Sequence, residues 1–205
     1  MSKIVVVLAT HNEGKKREYE LLLKKSPIEI KGLCHFQGIP EFEKHGRTFE
    51  EVATKKAQCV SRMLGVPALA DDSGILVEAL NGAPGLFSAR YAGESADDYQ
   101  NNLKLLKEMR GKENRDANFF CAIAIAKPAG QVLNYTGRCS GIILDKPVGT
   151  NGFGYDPIFY YPPLNKTFAQ LSPDEKNTVS HRGQAMRKLG NDLKRILAWL
   201  EGREM

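Results

Sequence analysis

The stretch "PALADDSGILVEAL", Pro67 to Leu80, sets two aspartates and a serine inside an apolar run. Ala68-Leu69-Ala70 precede Asp71-Asp72-Ser73, and Ile75-Leu76-Val77 follow. The leading apolar residues read as a core strand ending at the aspartates. A buried carboxylate costs several kcal/mol unless a cation or hydrogen-bond donor meets it, so two in succession need a reason. Carboxylates at the C-terminal end of a strand, beside a small-residue turn, suit Mg²⁺ held against substrate phosphates. Asp-Asp-Ser-Gly is also good turn chemistry, which accounts for one aspartate better than for two.

Toward the N-terminus, Lys3–Ala9 is a β-branched run that reads as a buried strand. The loop Thr10-His11-Asn12-Glu13-Gly14 follows, then a helix with Tyr19, Leu22 and Leu23 on one face, stopped by Ser26-Pro27. Ile28–Leu33 is a second strand and Gly38–Arg47 a polar loop. Thr48 caps the next helix with Glu51 as capping-box partner. Phe49, Val52, Ala53, Ala57, Val60 and Leu64 form its inner face, and Gly65 ends it. Toward the C-terminus come a glycine-rich turn at 81–85 and a helix opening near Ser95 and Asp98. Tyr99, Leu103, Leu106 and Met109 form the apolar side of that helix. Ala117–Ala126 and Gln131–Cys139 pair around Pro128-Ala129-Gly130. Ile142–Leu144 and Pro157–Tyr161 are shorter strands, and one last helix starts near Ser180. The order βαβαβ, then a helix, several strands and a helix, predicts an α/β fold. A mixed sheet is flanked by helices, with a second lobe built partly from the antiparallel pair. No repeat or linker divides residues 1–205, which read as one domain of two lobes.

Composition narrows the classes. Apolar residues make up 42% and charged residues 26%, a soluble globular profile. No apolar run approaches the roughly 20 residues of a membrane span, and Ile4–Ala9 is too short for a signal-peptide core. Cys34, Cys59, Cys121 and Cys139 are dispersed, which fits reduced thiols in the cytoplasm better than a zinc site or disulfides. The net charge of +5 hints at an anionic partner, but the basic residues are scattered, so nucleic acid is not expected.

Three further segments carry chemistry. "ATHNEGKKRE" places a loop after a buried strand and before a helix, geometry that offers backbone N–H groups and Lys15 to phosphate. It also reads as an ordinary strand-to-helix turn. It is no P-loop, since Ala9 and Lys16 stand where glycine and a hydroxyl would be needed. "GFGYDP", Gly152 to Pro157, lets backbone approach a ligand while Phe153 offers an aromatic face, or forms a tight turn with core aromatics. In "EKNTVSHRGQAM", Lys176, Ser180, His181 and Arg182 lie at or just before a helix N-terminus. Cations work against the helix dipole there, so an anionic or carbonyl-bearing ligand would justify them. Together the four loops describe a nucleoside triphosphate site.

At "THNEGK", "ADDSG", "GAPGLFSARYAG", "GFGYDPIF" and "EKNTVSHRGQA" the chain resembles the inosine triphosphate pyrophosphatase family, in that family's order, from about residue 4 to 200. The resemblance implies hydrolysis of ITP, dITP and XTP to the monophosphate and pyrophosphate. It also implies Mg²⁺, a homodimer, and an elongated mixed sheet with a nucleotide cleft between two lobes. By the same resemblance Thr10, His11, Asn12, Glu13, Gly14 and Lys15 bind the triphosphate, Asp72 ligates Mg²⁺ and acts as general base, and Ser73 touches the nucleotide. Phe153, Gly154, Tyr155, Asp156 and Lys176 surround base and sugar, and His181 and Arg182 help read the purine.

Two positions depart from the family pattern. Lys44 stands where a second glutamate is common, leaving Glu41 and Glu43 as alternatives for the second metal carboxylate. Val52 replaces a frequent Asn. Two other readings compete. A Maf-like nucleotide pyrophosphatase would share the architecture, but its S-x-S-P-R-R signature is absent. An RNA-binding module would need basic stripes with interleaved aromatics, whereas the aromatics here fall at strand and core positions.

Overall fold

In a computed structural model of the chain, residues 3–36 and 46–202 are described. Strand β1 (Ile4–Leu8) takes its β-branched run into a sheet, with Val6, Val7 and Leu8 fully buried. Helix α1 (Glu13–Leu23) begins one residue after Asn12, whose side chain caps it, so Glu13 and Gly14 belong to the first turn and not to the loop. Strand β2 (Ile28–Gly32) pairs with β1 in parallel. Helix α2 (Phe49–Leu64) is capped by Thr48 and closed by Gly65 in the left-handed region, φ 66°. The Glu51 carboxylate accepts from the Arg47 N–H rather than completing a box on Thr48.

Strand β3 (Ala68–Val77) is ten residues long and parallel to β1. It runs straight through Asp71, Asp72 and Ser73, so the expected strand end and turn at the aspartates are not there. The apolar residues on both sides are the reason: each half of the stretch is itself a buried strand.

Helix α3 (Asp98–Glu108) is capped by Asp97, in a box with Gln100, and not by Ser95. Its inner face also differs from expectation. Asn101, Asn102 and Leu105 are buried, whereas Tyr99 and Leu103 are exposed. Strands β4 (Asp116–Ala126) and β5 (Val132–Ile143) meet at the expected turn, and β5 absorbs the separate strand expected at 142–144. Strand β6 (Phe159–Tyr161) is antiparallel to β5 and to β7 (Lys166–Thr167).

The C-terminal part holds three helices where one was expected. Helix α4 (Pro173–Val179) has a capping box from Ser172 and Glu175 with proline in its first turn; α5 (His181–Asn191) and α6 (Leu193–Leu200) follow. The sheet is mixed, in the order β2-β1-β3-β4-β5-β6-β7. No helix among the described residues is long and apolar enough to cross a membrane, and all four cysteines are unbridged.

Two compact units divide the chain. The first comprises Met1–Asp72, Ala122–Thr136 and Gln184–Met205; the second comprises Ser73–Cys121 and Gly137–Gly183. In the first, α1 buries Tyr19 and Leu23, and α2 buries Val52, Ala53, Ala57 and Val60. The second has its own core of Ile75, Val77, Leu105, Met109, Phe119, Ile158, Phe159 and Phe168. Along β3 the chain passes from the first unit to the second between Asp72 and Ser73.

Candidate active site

In the first unit, the turn after β1 leads directly to the aspartates. The Asn12 N–H donates to Thr10 Oγ1 at 3.2 Å, and Asn12 Oδ1 accepts from the Lys15 N–H at 2.8 Å. This local pair sets Lys15 one turn into α1. Its Nζ lies 3.0 Å from Asp71 Oδ1 and 2.9 Å from Oδ2. Lys56 Nζ donates to the Asp71 carbonyl at 3.1 Å. Asp71 is fully buried, and the ammonium of Lys15 is the counter-charge that burial demands. Asp71 is engaged by Lys15, and Asp72 beside it is 1% exposed. Thr10 is buried, whereas His11, Asn12 and Glu13 are exposed, with Glu13 paired to Lys16.

In the second unit, Ser73 accepts a hydrogen bond from Arg182 NH2 at 2.9 Å. Arg182 is the largest fully buried side chain, at 1% exposure. Asp72 thus sits between two residues that are each gripped by a cation, Asp71 by Lys15 and Ser73 by Arg182.

The "GFGYD" loop lies in the same unit as Arg182. Asp156 Oδ2 accepts from the Phe153 N–H at 2.9 Å and from Lys176 Nζ at 2.5 Å. Lys176 Nζ is 4.6 Å from the Phe153 ring centroid, and the Arg182 guanidinium is 5.8 Å from it. Phe153 is half-buried, with cations against its ring, suited to a planar ligand. Lys176 lies in the last turn of α4, where the dipole favours a cation, so only His181 and Arg182 occupy a helix start. His181 stacks on Phe119, centroids 4.6 Å apart and planes at 9°.

Tyr155 belongs to the core instead. It is buried, and its hydroxyl donates to the Ser88 carbonyl at 2.8 Å. Burial, reinforced by Tyr91, Asp98 and Glu108, pushes its ionisation up, which keeps that hydroxyl a donor. The aromatic-core reading holds for Tyr155, whereas Phe153, two residues away, is half-buried with cations against its ring.

Sequence reasoning missed Asp98 and Asn102 of α3, which hold the backbone of Gly154. The signal was available, since two polar residues at i and i+4 share one helix face, but the apolar residues on α3 drew the reading to another side.

The donor chemistry available here suits a hard cation. Mg²⁺ is typically bound by one or two carboxylates and completed by substrate phosphates, so Asp72 with one partner is enough. Among the described residues there is no group of three or more His, Cys, Asp or Glu side chains that could hold a metal ion. Both candidate partners, Glu41 and Glu43, lie outside the described residues, as does Lys44.

The fold and these groups define a class: an α/β protein with a mixed seven-stranded sheet, carrying a buried aspartate in its first unit and an aromatic loop flanked by cations in its second. The Ham1 family profile matches residues 6–192. The chain is 52% identical over 199 residues to a dITP/XTP pyrophosphatase of Desulfotalea psychrophila, covering 97% of this chain and 89% of that protein. It is 51% identical over 203 residues to a dITP/XTP pyrophosphatase of Syntrophobacter fumaroxidans, covering 99% and 88%. A solved HAM1 protein structure from Coxiella burnetii superposes with a TM-score of 0.86 at 42% identity, covering 94% of this chain and 99% of that one. The chain belongs to the Ham1 family.

Proposed function

We propose that this protein hydrolyses non-standard purine nucleoside triphosphates, ITP, dITP and XTP, to the monophosphate and pyrophosphate, with Mg²⁺, as a cytoplasmic homodimer that clears the nucleotide pool. The observation that carries the reading is the place of Asp72, a buried carboxylate whose two chain neighbours are each held by a cation. The dITP/XTP pyrophosphatases at about half identity support the substrate class. They lend nothing to the Maf-like alternative.

In this reading Thr10, His11, Asn12, Glu13, Gly14 and Lys15 lie along the triphosphate, whose charge near −4 is the main obstacle to attack. Asp72, with Glu41 or Glu43, holds Mg²⁺, which when bound neutralises phosphate charge and acidifies water. The Asp72 carboxylate takes a proton from the attacking water. The water oxygen bonds to the α-phosphorus, and the bond from that phosphorus to the bridging oxygen breaks, releasing pyrophosphate. Lys15, already shared with Asp71, offsets charge on the departing group. Ser73 steadies the nucleotide while Phe153 stacks on the base, with Gly154, Asp156 and Lys176 around it.

Selectivity follows from donor placement. Inosine and xanthosine carry a C6 carbonyl, adenine an amino group. Donors of Arg182 and His181 would accept the first and be left facing another donor with the second, and a dry site discriminates strongly against that. Exposed Phe87, Tyr99 and Leu103 support a homodimer, as apolar surface that a second copy would cover. The test is product analysis with ITP and Mg²⁺: IMP with pyrophosphate supports the reading, and IDP with orthophosphate contradicts it.

A further inference from the structure

Phe153 is the residue that the proposed function places against the base, and its backbone is held with unusual completeness. Its own N–H donates to Asp156 Oδ2, and its carbonyl accepts from the Asp156 N–H at 3.3 Å. The next residue, Gly154, is gripped from outside the loop by α3. Asp98 Oδ2 accepts from the Gly154 N–H at 2.6 Å, and Asn102 Nδ2 donates to the Gly154 carbonyl at 2.8 Å. Gly154 has φ 62°, a left-handed conformation that glycine adopts freely and abandons as freely. Without the grip, the plane that follows Gly154 would lose its tie to α3, and the plane before it would keep only the long bond from the Asp156 N–H.

The α3 geometry suits this task. Asp98 and Asn102 are four apart and so share one helix face. Asp97 and Gln100 already satisfy the helix N-terminus through their capping box, which leaves the Asp98 carboxylate available to the loop. Asn102 is buried and also donates to the Asp98 carbonyl at 2.7 Å, tying donor and acceptor to one frame. The Gly154 N–H belongs to the peptide plane that carries the Phe153 carbonyl. Asp98 and Asp156 therefore fix the two planes on either side of the Phe153 Cα, and with them the direction of its ring.

We infer that Asp98 and Asn102 are positioning residues for base recognition. They hold Gly154 so that Phe153 presents a preset face to the purine, and they contact the loop and not the substrate. The inference rests on the reading of Phe153 as the base-stacking residue. A preset aromatic contributes equally to ground and transition states, so its loss appears in KM and not in kcat.

The test uses full-length protein, dITP with Mg²⁺, and inorganic tripolyphosphate as an inhibitor that lacks a base. Asp98 is exposed, so Asp98→Ala keeps the fold, and thermal melting verifies it. Losing one charge-assisted bond raises KM for dITP about tenfold, with kcat and tripolyphosphate inhibition moving less than about twofold. Asp98→Asn, which keeps an acceptor, restores KM to within about threefold of wild type. In a Phe153→Ala background the same Asp98→Ala change adds less than about twofold, because the group it positions is gone. An unchanged KM in Asp98→Ala, a matching loss of tripolyphosphate inhibition, or a full additive effect in the Phe153→Ala background overturns the inference. A Phe153→Ala protein with normal KM for dITP overturns the stacking reading itself, and the positioning role with it.

Discussion

Arg182 donates to Ser73 Oγ across 2.9 Å, and Ser73 is bonded directly to Asp72 along β3. The group proposed to read the base is thus one hydrogen bond and one peptide from the carboxylate proposed to activate water. This contact gives base identity a route to the rate as well as to affinity. Ser73→Ala removes an acceptor from a buried guanidinium, which costs on the order of 1–3 kcal/mol. We expect kcat/KM for dITP to fall about tenfold to a hundredfold, with the preference for dITP over dATP reduced. Steady-state kinetics with both substrates checks this, and unchanged kinetics would break the link.

Lys15 and Asp71 form a buried ion pair, with side-chain exposures of 14% and 0%. Removing Lys15 takes a counter-charge from a buried carboxylate. Lys15→Ala should lower unfolding free energy by about 3 kcal/mol. Adding Asp71→Asn to that variant should restore part of the loss, since the buried carboxylate becomes neutral. Urea unfolding of both single variants and the double variant measures the coupling, and strict additivity would show the pair to be inert.

Gly152 and Gly154 both have positive φ, yet substitution should affect them differently. A Cβ at Gly152 would lie 2.0 Å from Asp156 Oδ2, the atom that holds Lys176 and the Phe153 N–H. A Cβ at Gly154 would meet nothing within 4 Å. Gly154→Ala carries only the left-handed backbone cost of about 1–2 kcal/mol, whereas Gly152→Ala must also displace the Asp156 carboxylate. KM for dITP should therefore rise more in Gly152→Ala, by upward of about tenfold. Equal effects would mean that the Asp156 contacts do not shape the loop.

Alkaline stability follows from two buried groups. Burial pushes the Cys139 thiol from 9.0 up to about 12, and burial with the Asp192 hydrogen bond pushes Tyr135 from 10.0 up to about 12. Each folded-state value is raised, so each contribution is complete below the unfolded value and is lost as pH rises through the folded one. Unfolding free energy should hold to pH 9 and decline from there toward 12, with a shallower decline in Cys139→Ala. Thiol labelling at pH 8 gives the matching kinetic picture: Cys34 and Cys59 are exposed and react quickly, Cys121 and Cys139 are buried and react slowly. A flat stability profile between pH 9 and 11 would contradict the assignment.

What was legible in the chain was local. Thr48 and Gly65 bracket α2 because capping depends on residues three or four apart, and the alternation of strand and helix signals from residue 4 to 77 gives the parallel part of the sheet. The Lys15–Asp71 pair joins residues 56 apart, so sequence could show two puzzling aspartates but not which of them Lys15 meets. The reading of Asp71-Asp72-Ser73-Gly74 as a turn failed because turn propensity yields to a strand whose two halves are both buried. Helix α4 was missed although Ser172-Pro173 with Glu175 spells a capping box, since the apolar pattern after Ser180 dominated that region. Tyr155 and Phe153 are near neighbours with opposite surroundings, a distinction that only packing makes. The spacing of Asp98 and Asn102 puts both on one face of α3, but the backbone they hold is more than 50 residues away, and local spacing does not name it.

The central claim is that Asp72 activates water, and the most direct measurement is the turnover of dITP by Asp72→Asn with Mg²⁺. The change is isosteric at a side chain that is 1% exposed, so the fold should persist. We predict that kcat falls at least about a thousandfold in a protein that still melts cooperatively. An Asp72→Asn protein that folds and turns over dITP at a rate near wild type would contradict the account.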